Sequence, residues 1–275
     1  VWDEEKANYL IDAIVKNAKV IENNDPQFIF EGSPKYKKIN TFNKDLAKIS
    51  LDVKLAKLHE LEEKIKAYDP RIHEIEGVFY DEISEDVILM NSKGLKLSQK
   101  SNYYAYAGAA VAKLDGQVKT NMDLLLDNNF DKVNIDELAK KIAQGAVEQL
   151  SGEPCESGNY QAVLSPNVVN SLIRVYVGHA SSEEVQKGSS LFKDSLGKKI
   201  ASSKVTIEDR PLQKNVYSRW FDDEGVATYN KPIIKNGTLE TFLYNLTTAA
   251  KENRESTGNG FGVGSKKEAA PSFIY

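Results

Sequence analysis

The sequence predicts an α+β protein in which helices and largely antiparallel sheets form two parts. Two amphipathic helices come first, short β-rich segments joined by turn signals follow them, and further helices and a hairpin follow in the second part. Helices and strands that are segregated along the chain in this way are typical of an α+β fold rather than a doubly wound parallel sheet. The chain has 275 residues, which is enough for one large or two ordinary domains.

The first predicted element is an amphipathic helix that begins after Asp3. Acidic residues occupy its first turn, where they face the positive end of the helix dipole. Apolar residues recur at helical spacing, namely Ala7, Leu10, Ile11, Ile14, Val15, Ala18 and Ile21. We expect this apolar face to cover a sheet.

A second helix is predicted over residues 45–68, and Asp69-Pro70 ends it. Its apolar side consists of Leu46, Ile49, Val53, Leu58, Leu61 and Ile65. Short strands are then predicted over residues 75–80, 86–90, 95–98 and 103–114. The stretch from Asn91 to Gly94 is a hairpin signal between two of them.

A third helix begins after Asn134, because Glu137 three residues later nearly completes a capping box. Its apolar stripe is formed by Leu138, Ile142, Ala146 and Leu150. Residues 151–154, Ser-Gly-Glu-Pro, close the helix and are the predicted boundary between the two parts, 1–152 and 153–275.

The second part is predicted to begin with a strand over residues 161–164 that leads into a helix. Ser165 is suited to be the N-cap of this helix and Pro166 its first residue. His179 follows its end, where a histidine faces the negative end of the helix dipole. Asn236-Gly237 predicts a type I′ hairpin turn between residues 231–235 and 238–244.

Composition excludes several classes of function. The formal net charge of −4 and the mixing of lysines with acids leave no basic surface for nucleic acid. No apolar segment is long enough to predict a membrane span. The single cysteine, Cys155, cannot form an internal disulfide, and we therefore expect a reducing cytoplasmic location.

The residues alone do not supply a complete catalytic or metal-binding set. Zinc sites require three or four N, S or O ligands, whereas the chain has only His59, His73 and His179. We interpret the first two histidines as solvated residues and Cys155 as a chance loop cysteine. The acidic run from Asp222 to Glu224 lacks the spacing of a calcium loop, so a polar turn is the favoured interpretation.

The run from Gly258 to Gly264 is interpreted as a flexible loop, because no strand leads into it and no Gly-Lys-Ser/Thr step follows. Its glycines permit close backbone approach to another group, such as an extended peptide.

Several separated blocks of this chain resemble the TldD/PmbA family in order and spacing. They comprise residues 162–166 running on to 188–190, then 220–228, 236–239 and 256–261. In the first part, residues 17–19, 25–26 and 91–94 resemble the family more weakly. The resemblance implies that residues 1–152 form an N-terminal α+β region without the family's opening strands. Residues 153–275 would then be the start of a C-terminal peptidase-like domain, so that the chain is a fragment of a longer family protein.

TldD-like members carry His-Glu-x-x-x-His on the helix after a Leu-x-Pro turn, where the histidines bind zinc and the glutamate is expected to activate water. The resemblance places Arg174, Val175 and His179 at these three positions. Arginine cannot donate a lone pair to a metal, and valine can neither bind a proton nor orient water. The resemblance therefore implies no catalytic, cofactor-binding or metal-binding residue here beyond His179 as a lone metal candidate.

This departure matches the TldE/PmbA branch, which the resemblance identifies as the zinc-free partner of a TldD-like subunit. The implied complex is a cytosolic, heteromeric metallopeptidase that cleaves unstructured peptides during peptide maturation, antitoxin degradation and gyrase modulation. The expected partners are a TldD-like subunit that holds zinc, extended peptide substrates and a second copy of the chain. Two alternatives stay open: a non-enzymatic peptide-binding or scaffolding protein, and an independent metal enzyme built on His179 with Asp222, Asp223 or Glu224.

Overall fold

The first part of the chain is built on a three-stranded antiparallel sheet. The computed structural model describes residues 3–22, 24–262 and 267–275. Its sheet consists of β1 (Ile72–Met90), β2 (Lys96–Leu114) and β3 (Gln117–Asp127), in that order. The predicted hairpin at Asn91–Gly94 is confirmed, because Met90 pairs with Lys96 on either side of it.

The four short strands predicted for this region are wrong in number and length. β1 and β2 each run for 19 residues, and β3 was not predicted. The acidic residues within β1 obscured its continuity, because its distal half is exposed on both faces and shows no apolar alternation. The Asp115-Gly116 pair is a hairpin signal that could have predicted the turn before β3. The two residues have the positive φ angles that such a turn requires, 47° and 81°.

Two helices cover one face of this sheet, α2 (Leu51–Tyr68) and α3 (Ile135–Glu148). α3 begins at Asn134, whose side chain accepts a hydrogen bond from the Glu137 N–H at 3.1 Å, as predicted. α2 begins later than predicted, because Ser50 is its N-cap and residues 46–48 form a separate 3₁₀ turn. The core between these helices and the sheet contains Leu46, Leu61, Ile65, Tyr104, Tyr106, Ala110, Ile135, Leu138, Ala139, Ile142 and Ala143.

The first helix, α1 (Glu4–Val20), is present and is capped by Asp3, but it buries no residue. Its apolar face was expected to cover a sheet. That expectation is wrong for the described residues, because Leu10 and Ile14 stay 58% and 65% exposed. The helix forms from its own cap and spacing, since these local signals do not depend on a partner surface.

The described residues of the second part form three helices and two small sheets. The helices are α4 (Pro166–Gly178), α5 (Ser182–Lys187) and α6 (Leu246–Lys251). One sheet is formed by β4 (Ile207–Asp209), β5 (Lys231–Lys235) and β6 (Thr238–Leu239), and the other by β7 (Gly260–Phe261) and β8 (Glu268–Ala269). Its core contains Val177, Ala180, Phe192, Ile207, Ile233, Ile234, Leu239, Phe242, Leu243, Tyr244 and Ala249. Helices and antiparallel sheets throughout confirm the α+β class.

Two local predictions for the second part have opposite outcomes. The hairpin at Asn236-Gly237 is confirmed between β5 and β6, with φ angles of 50° and 82°. The strand predicted over residues 161–164 is wrong, because these residues are exposed and belong to no sheet, and Val163 is 100% exposed. A short apolar segment does not form a strand without a neighbouring strand to pair with.

The two parts meet in a third hydrophobic cluster centred on Trp220 and Phe221. Leu97 from β2 and Leu95 just before this strand pack there, and the Tyr36 ring meets Trp220 edge-on at 5.6 Å. The Tyr36 hydroxyl also donates a hydrogen bond to the Gly225 carbonyl at 2.8 Å. The junction therefore combines apolar burial with hydrogen bonds between the parts. Across the described residues, no helix has the length and apolar character needed to cross a membrane.

Candidate functional site

α4 is the helix on which the sequence placed the three motif positions. It begins as predicted, with Pro166 in its first turn and the Ser165 hydroxyl accepting a hydrogen bond from the Val168 N–H at 3.5 Å. Val177 is its one fully buried residue. The helix therefore lies on the surface of the second part, held mainly by its C-terminal end.

Arg174 and Val175 are both exposed on α4. The Val175 side chain is 64% exposed and has no polar atom to offer a substrate. The Arg174 guanidinium makes no hydrogen bond or ion pair with any described residue. Neither position is therefore committed to holding the fold together.

His179 is the C-cap of α4 and has a structural role. Its Nδ1 accepts a hydrogen bond from the Leu191 N–H at 3.3 Å, and its carbonyl oxygen accepts one from the Ser190 hydroxyl at 2.6 Å. The imidazole also packs edge-on against Phe192, with ring centroids 6.0 Å apart. One ring nitrogen is therefore already engaged in fixing the loop that follows α5.

Zinc does not fit the residues at the motif positions. Arg174 has no lone pair for a metal and Val175 has no ligand atom, which leaves His179 alone. His59 lies on α2 and His73 on β1, both exposed. Across residues 3–22, 24–262 and 267–275, no three His, Cys, Asp or Glu side chains converge as a metal site would require.

The acidic run at residues 222–224 forms a turn, as favoured from the sequence. Asp222 is fully buried, and its carboxylate accepts backbone N–H hydrogen bonds from Glu224, Val226 and Gly260 at 2.8–3.0 Å. Asp223 pairs with Arg219, and Glu224 accepts a hydrogen bond from the Leu246 N–H at 2.7 Å. Backbone N–H groups and the Arg219 guanidinium occupy these carboxylates, and His179 does not join them in a metal-binding group within the described chain.

Burial raises the pKa of Asp222 to about 7 from its ordinary 3.8, although three backbone N–H groups favour the ionised form. The folded state then keeps this proton up to about pH 7, whereas the unfolded chain releases it near pH 4. The protonated Asp222 carboxyl therefore stabilises the folded state fully below its ordinary pKa, and this stabilisation is lost as the pH rises through about 7.

We therefore expect the free energy of unfolding of the wild type, measured relative to the Asp222→Asn variant, to fall as the pH rises from 5 to 8. Urea unfolding of both proteins at each pH measures this difference. The two proteins share all other titrating groups, including Glu224, so the comparison isolates Asp222. Parallel pH profiles for the two proteins would show that Asp222 titrates normally.

The glycine-rich segment approaches the chain's own acidic turn. A Cβ added to Gly258 would lie 2.6 Å from the Ala227 carbonyl oxygen, and one added to Gly260 would lie within 2.8 Å of three Glu224 side-chain atoms. The predicted close approach is therefore intramolecular at these two positions, where the sequence analysis favoured an outside group such as a peptide. Residues 263 and 264, which end this run, lie outside the described residues. Cys155 is exposed in its loop.

A cleft of about 670 Å³ lies between α4 and the final segment of the chain. Of the three motif positions, Arg174 lines this cleft, and Val175 and His179 do not. The remaining lining residues are Asn170, Val177, Gly178, Tyr217, Pro271, Ser272, Phe273 and Ile274. The Tyr217 and Phe273 rings stack there, with centroids 6.4 Å apart.

The wall of the cleft formed by residues 271–274 is held in place by Asp209, which the sequence analysis missed. Asp209 is fully buried on β4 and accepts hydrogen bonds from the Ser272 N–H at 3.0 Å, the Ser272 hydroxyl at 2.7 Å and the Phe273 N–H at 3.0 Å. It also pairs with Lys231 at 3.0 Å and accepts from the Asn259 amide at 2.8 Å. No local pattern marks these groups, which are 22 to 64 positions apart in the chain.

Burial by itself would raise the pKa of Asp209, but the Lys231 ammonium and the hydrogen bonds from Phe273, Asn259 and Ser272 hold it below its ordinary value. The carboxylate is therefore ionised throughout the physiological range. This carboxylate, neutralised by Lys231, binds residues 272 and 273 of the final segment to β4.

The final segment extends the sheet beyond β4. The Tyr275 backbone exchanges two hydrogen bonds with Glu208, at 2.9 and 3.0 Å, and the Arg210 N–H donates to the Phe273 carbonyl at 2.8 Å. Ile274 lies opposite Asp209 between these bonds. Its own N–H and C=O therefore point to the outer edge, and they have no hydrogen-bond partner in the part of the chain that the structure describes.

Comparison with known proteins places this arrangement in a family. Residues 44–150 match the central domain, and residues 157–275 the C-terminal domain, of the PmbA/TldA metallopeptidases. Metalloprotease MJ0996 of Methanocaldococcus jannaschii is 30% identical to this chain. The match covers 97% of this chain and 60% of the length of MJ0996.

Two solved structures share the fold. One is a Thermotoga maritima protein described as a modulator of a DNA gyrase, which is 30% identical to this chain and has a TM-score of 0.82. The match covers 90% of this chain and 57% of the Thermotoga chain. The other is TldE from Thermococcus kodakarensis, with a TM-score of 0.82 at 20% identity. That match covers 99% of this chain and 62% of the Thermococcus chain. The chain thus spans less than two thirds of each of these relatives. The two domain matches, which together cover most of the sequence, and the shared fold establish that this chain belongs to the TldD/PmbA family of metallopeptidases.

Proposed function

We propose that this chain is part of a TldE-type subunit that carries no zinc and acts with a TldD-like subunit that does. The observation that carries this proposal is the state of α4. The helix has a capped start, and the family resemblance places Arg174 and Val175 where a zinc ligand and a general base are needed. His179, at the third position, is the C-cap of α4, and its imidazole accepts a hydrogen bond from the Leu191 N–H.

The proposed substrates are unstructured peptide segments. An extended peptide can add to a free sheet edge through backbone hydrogen bonds, which place little demand on side-chain sequence. Among the described residues, the outer edge at Ile274 beside α4 has backbone groups that such a peptide could pair with. We infer that this subunit helps to hold the peptide while the partner's zinc site cleaves it.

Within this proposal, the complex is heteromeric and cytoplasmic and serves peptide maturation, antitoxin degradation or gyrase modulation. The relatives named as a metalloprotease and as a modulator of a DNA gyrase support the peptidase and gyrase parts of this proposal.

The proposal is tested by mixing the full-length protein with the TldD-like subunit from the same source. We expect the two proteins to co-purify, and we expect a fluorogenic unstructured peptide to be cleaved faster by the mixture than by either protein alone. If the TldD-like subunit were equally active without this protein, a non-enzymatic binding or scaffolding role would replace the proposal.

A further inference from the structure

The cleft beside α4 contains one full charge. Among its described lining residues, Arg174 is the one cation and no residue is acidic. The guanidinium is exposed and has no partner among the described residues, so its five N–H donors are available. A cleft that carries an unneutralised arginine is complementary to an anion.

We propose that Arg174 binds a carboxylate of an extended peptide that lies in this cleft. The inference rests on the proposed function, because it assumes that peptide enters beside α4. A guanidinium matches the planar geometry of a carboxylate and can donate two parallel hydrogen bonds to it. Loss of the catalytic motif at this position would then coincide with a gain of substrate recognition.

The rest of the cleft specifies what lies next to the carboxylate. The N–H and C=O of Ile274 have no hydrogen-bond partner among the described residues, and a peptide backbone can pair with them at this sheet edge. Val177, Pro271 and the stacked Tyr217 and Phe273 rings supply apolar surface close to Arg174. The favoured ligand is therefore an extended peptide with an apolar residue beside its carboxylate.

The helix itself works against an anion at this position. Arg174 lies in the last turns of α4, whose unpaired carbonyl oxygens carry partial negative charge. Recognition of a carboxylate must therefore come from the arginine side chain rather than from the helix dipole. Removal of this side chain should abolish the preference for an acid without changing backbone pairing at Ile274.

Two chemical sources of the carboxylate are separated by four labelled peptides of one apolar sequence. One has a free C-terminal carboxylate and a second is its C-terminal amide. The third and fourth are amides that carry Glu or Gln at the next-to-last position. Fluorescence anisotropy measures their binding to the full-length wild type, to Arg174→Gln, to Arg174→Lys, and to Lys235→Gln as an exposed cation outside the cleft.

We expect at least one acid to bind the wild type about tenfold more tightly than its neutral match. Arg174→Gln should lose this preference, Arg174→Lys should keep part of it, and Lys235→Gln should keep all of it. A preference for the free acid identifies a C-terminal carboxylate, and a preference for Glu over Gln identifies a side chain. Unfolding curves for Arg174→Gln that match the wild type show that the effect is not a loss of folding.

The inference is overturned if acids and neutral peptides bind the wild type equally, or if none of the four binds at millimolar concentration. Hydrolysis by the mixture with the TldD-like subunit separates this failure from failure of the proposed function. A mixture that cleaves all four peptides without preference leaves the proposed function standing and removes carboxylate recognition. A mixture that cleaves none of them contradicts the proposed function itself.

Discussion

Replacement of Asp209 by alanine is expected to lower the free energy of unfolding by about 3–5 kcal/mol. The substitution leaves the Lys231 ammonium buried without its counter-ion, and Lys231 is only 4% exposed. It also removes the acceptor for the backbone and hydroxyl groups of Ser272 and for the Phe273 N–H. Urea unfolding followed by circular dichroism measures the loss.

Two further variants separate the ion pair from the rest of the network. Lys231→Met should also destabilise the protein. The double variant should lose less free energy of unfolding than the sum of the two single variants, because each single variant leaves one buried charge without its counter-ion and the double variant leaves none. Asp45→Ala, which breaks the exposed pair with Lys48, is the matched control and should leave the unfolding curve unchanged. An Asp209→Ala curve that superimposes on the wild-type curve would contradict this view of the network.

Replacement of Trp220 by alanine is expected to cost about 3–5 kcal/mol as well, because a large buried ring is removed and the cavity cannot fully collapse. The Trp220 side chain is 3% exposed and packs against Tyr36 and Phe221 at ring distances of 5.6 and 4.6 Å. Because it joins the two parts, its loss should also separate their unfolding into two transitions. Circular dichroism during urea unfolding reports both effects.

The control for this variant is Tyr9→Ala on α1, where the ring is 72% exposed and its removal should leave stability unchanged. Trp220→Phe should recover part of the lost stability, since an aromatic ring still fills most of the site. A single sharp transition at the wild-type midpoint for Trp220→Ala would show that the third hydrophobic cluster does not couple the two parts.

Features determined by adjacent residues were predictable from the sequence. The caps at Asn134 and Ser165 and the turn at Asn236-Gly237 involve residues within a few positions of one another, and all three are present. Such signals act through the backbone groups of one turn and need no distant partner. The α+β class followed from the order of these elements.

Features that depend on distant partners were not predictable in the same way. The strand expected at residues 161–164 lacks a neighbour, and the apolar face of α1 lacks a sheet within the described chain. β1 continues through acidic residues because 17 partner positions on β2 hold it in register. In these elements, strand pairing and burial by distant residues determine the structure, and the local sequence pattern does not.

The candidate site shows the same division. The sequence placed Arg174, Val175 and His179 on or beside one helix, and the structure finds them there. It gave no sign that residues 271–274 would lie opposite Arg174, or that Asp209 would hold them. That arrangement depends on contacts between segments more than 60 positions apart, such as Asp209 with Phe273.

The absence of zinc from this subunit is tested most directly by metal analysis of the full-length protein, purified separately from its TldD-like partner. We predict far less than one zinc per chain and no peptide hydrolysis by this protein alone, with zinc and activity recovered in the mixture. One tightly bound zinc per chain, together with hydrolysis in the absence of a partner, would contradict the proposed role.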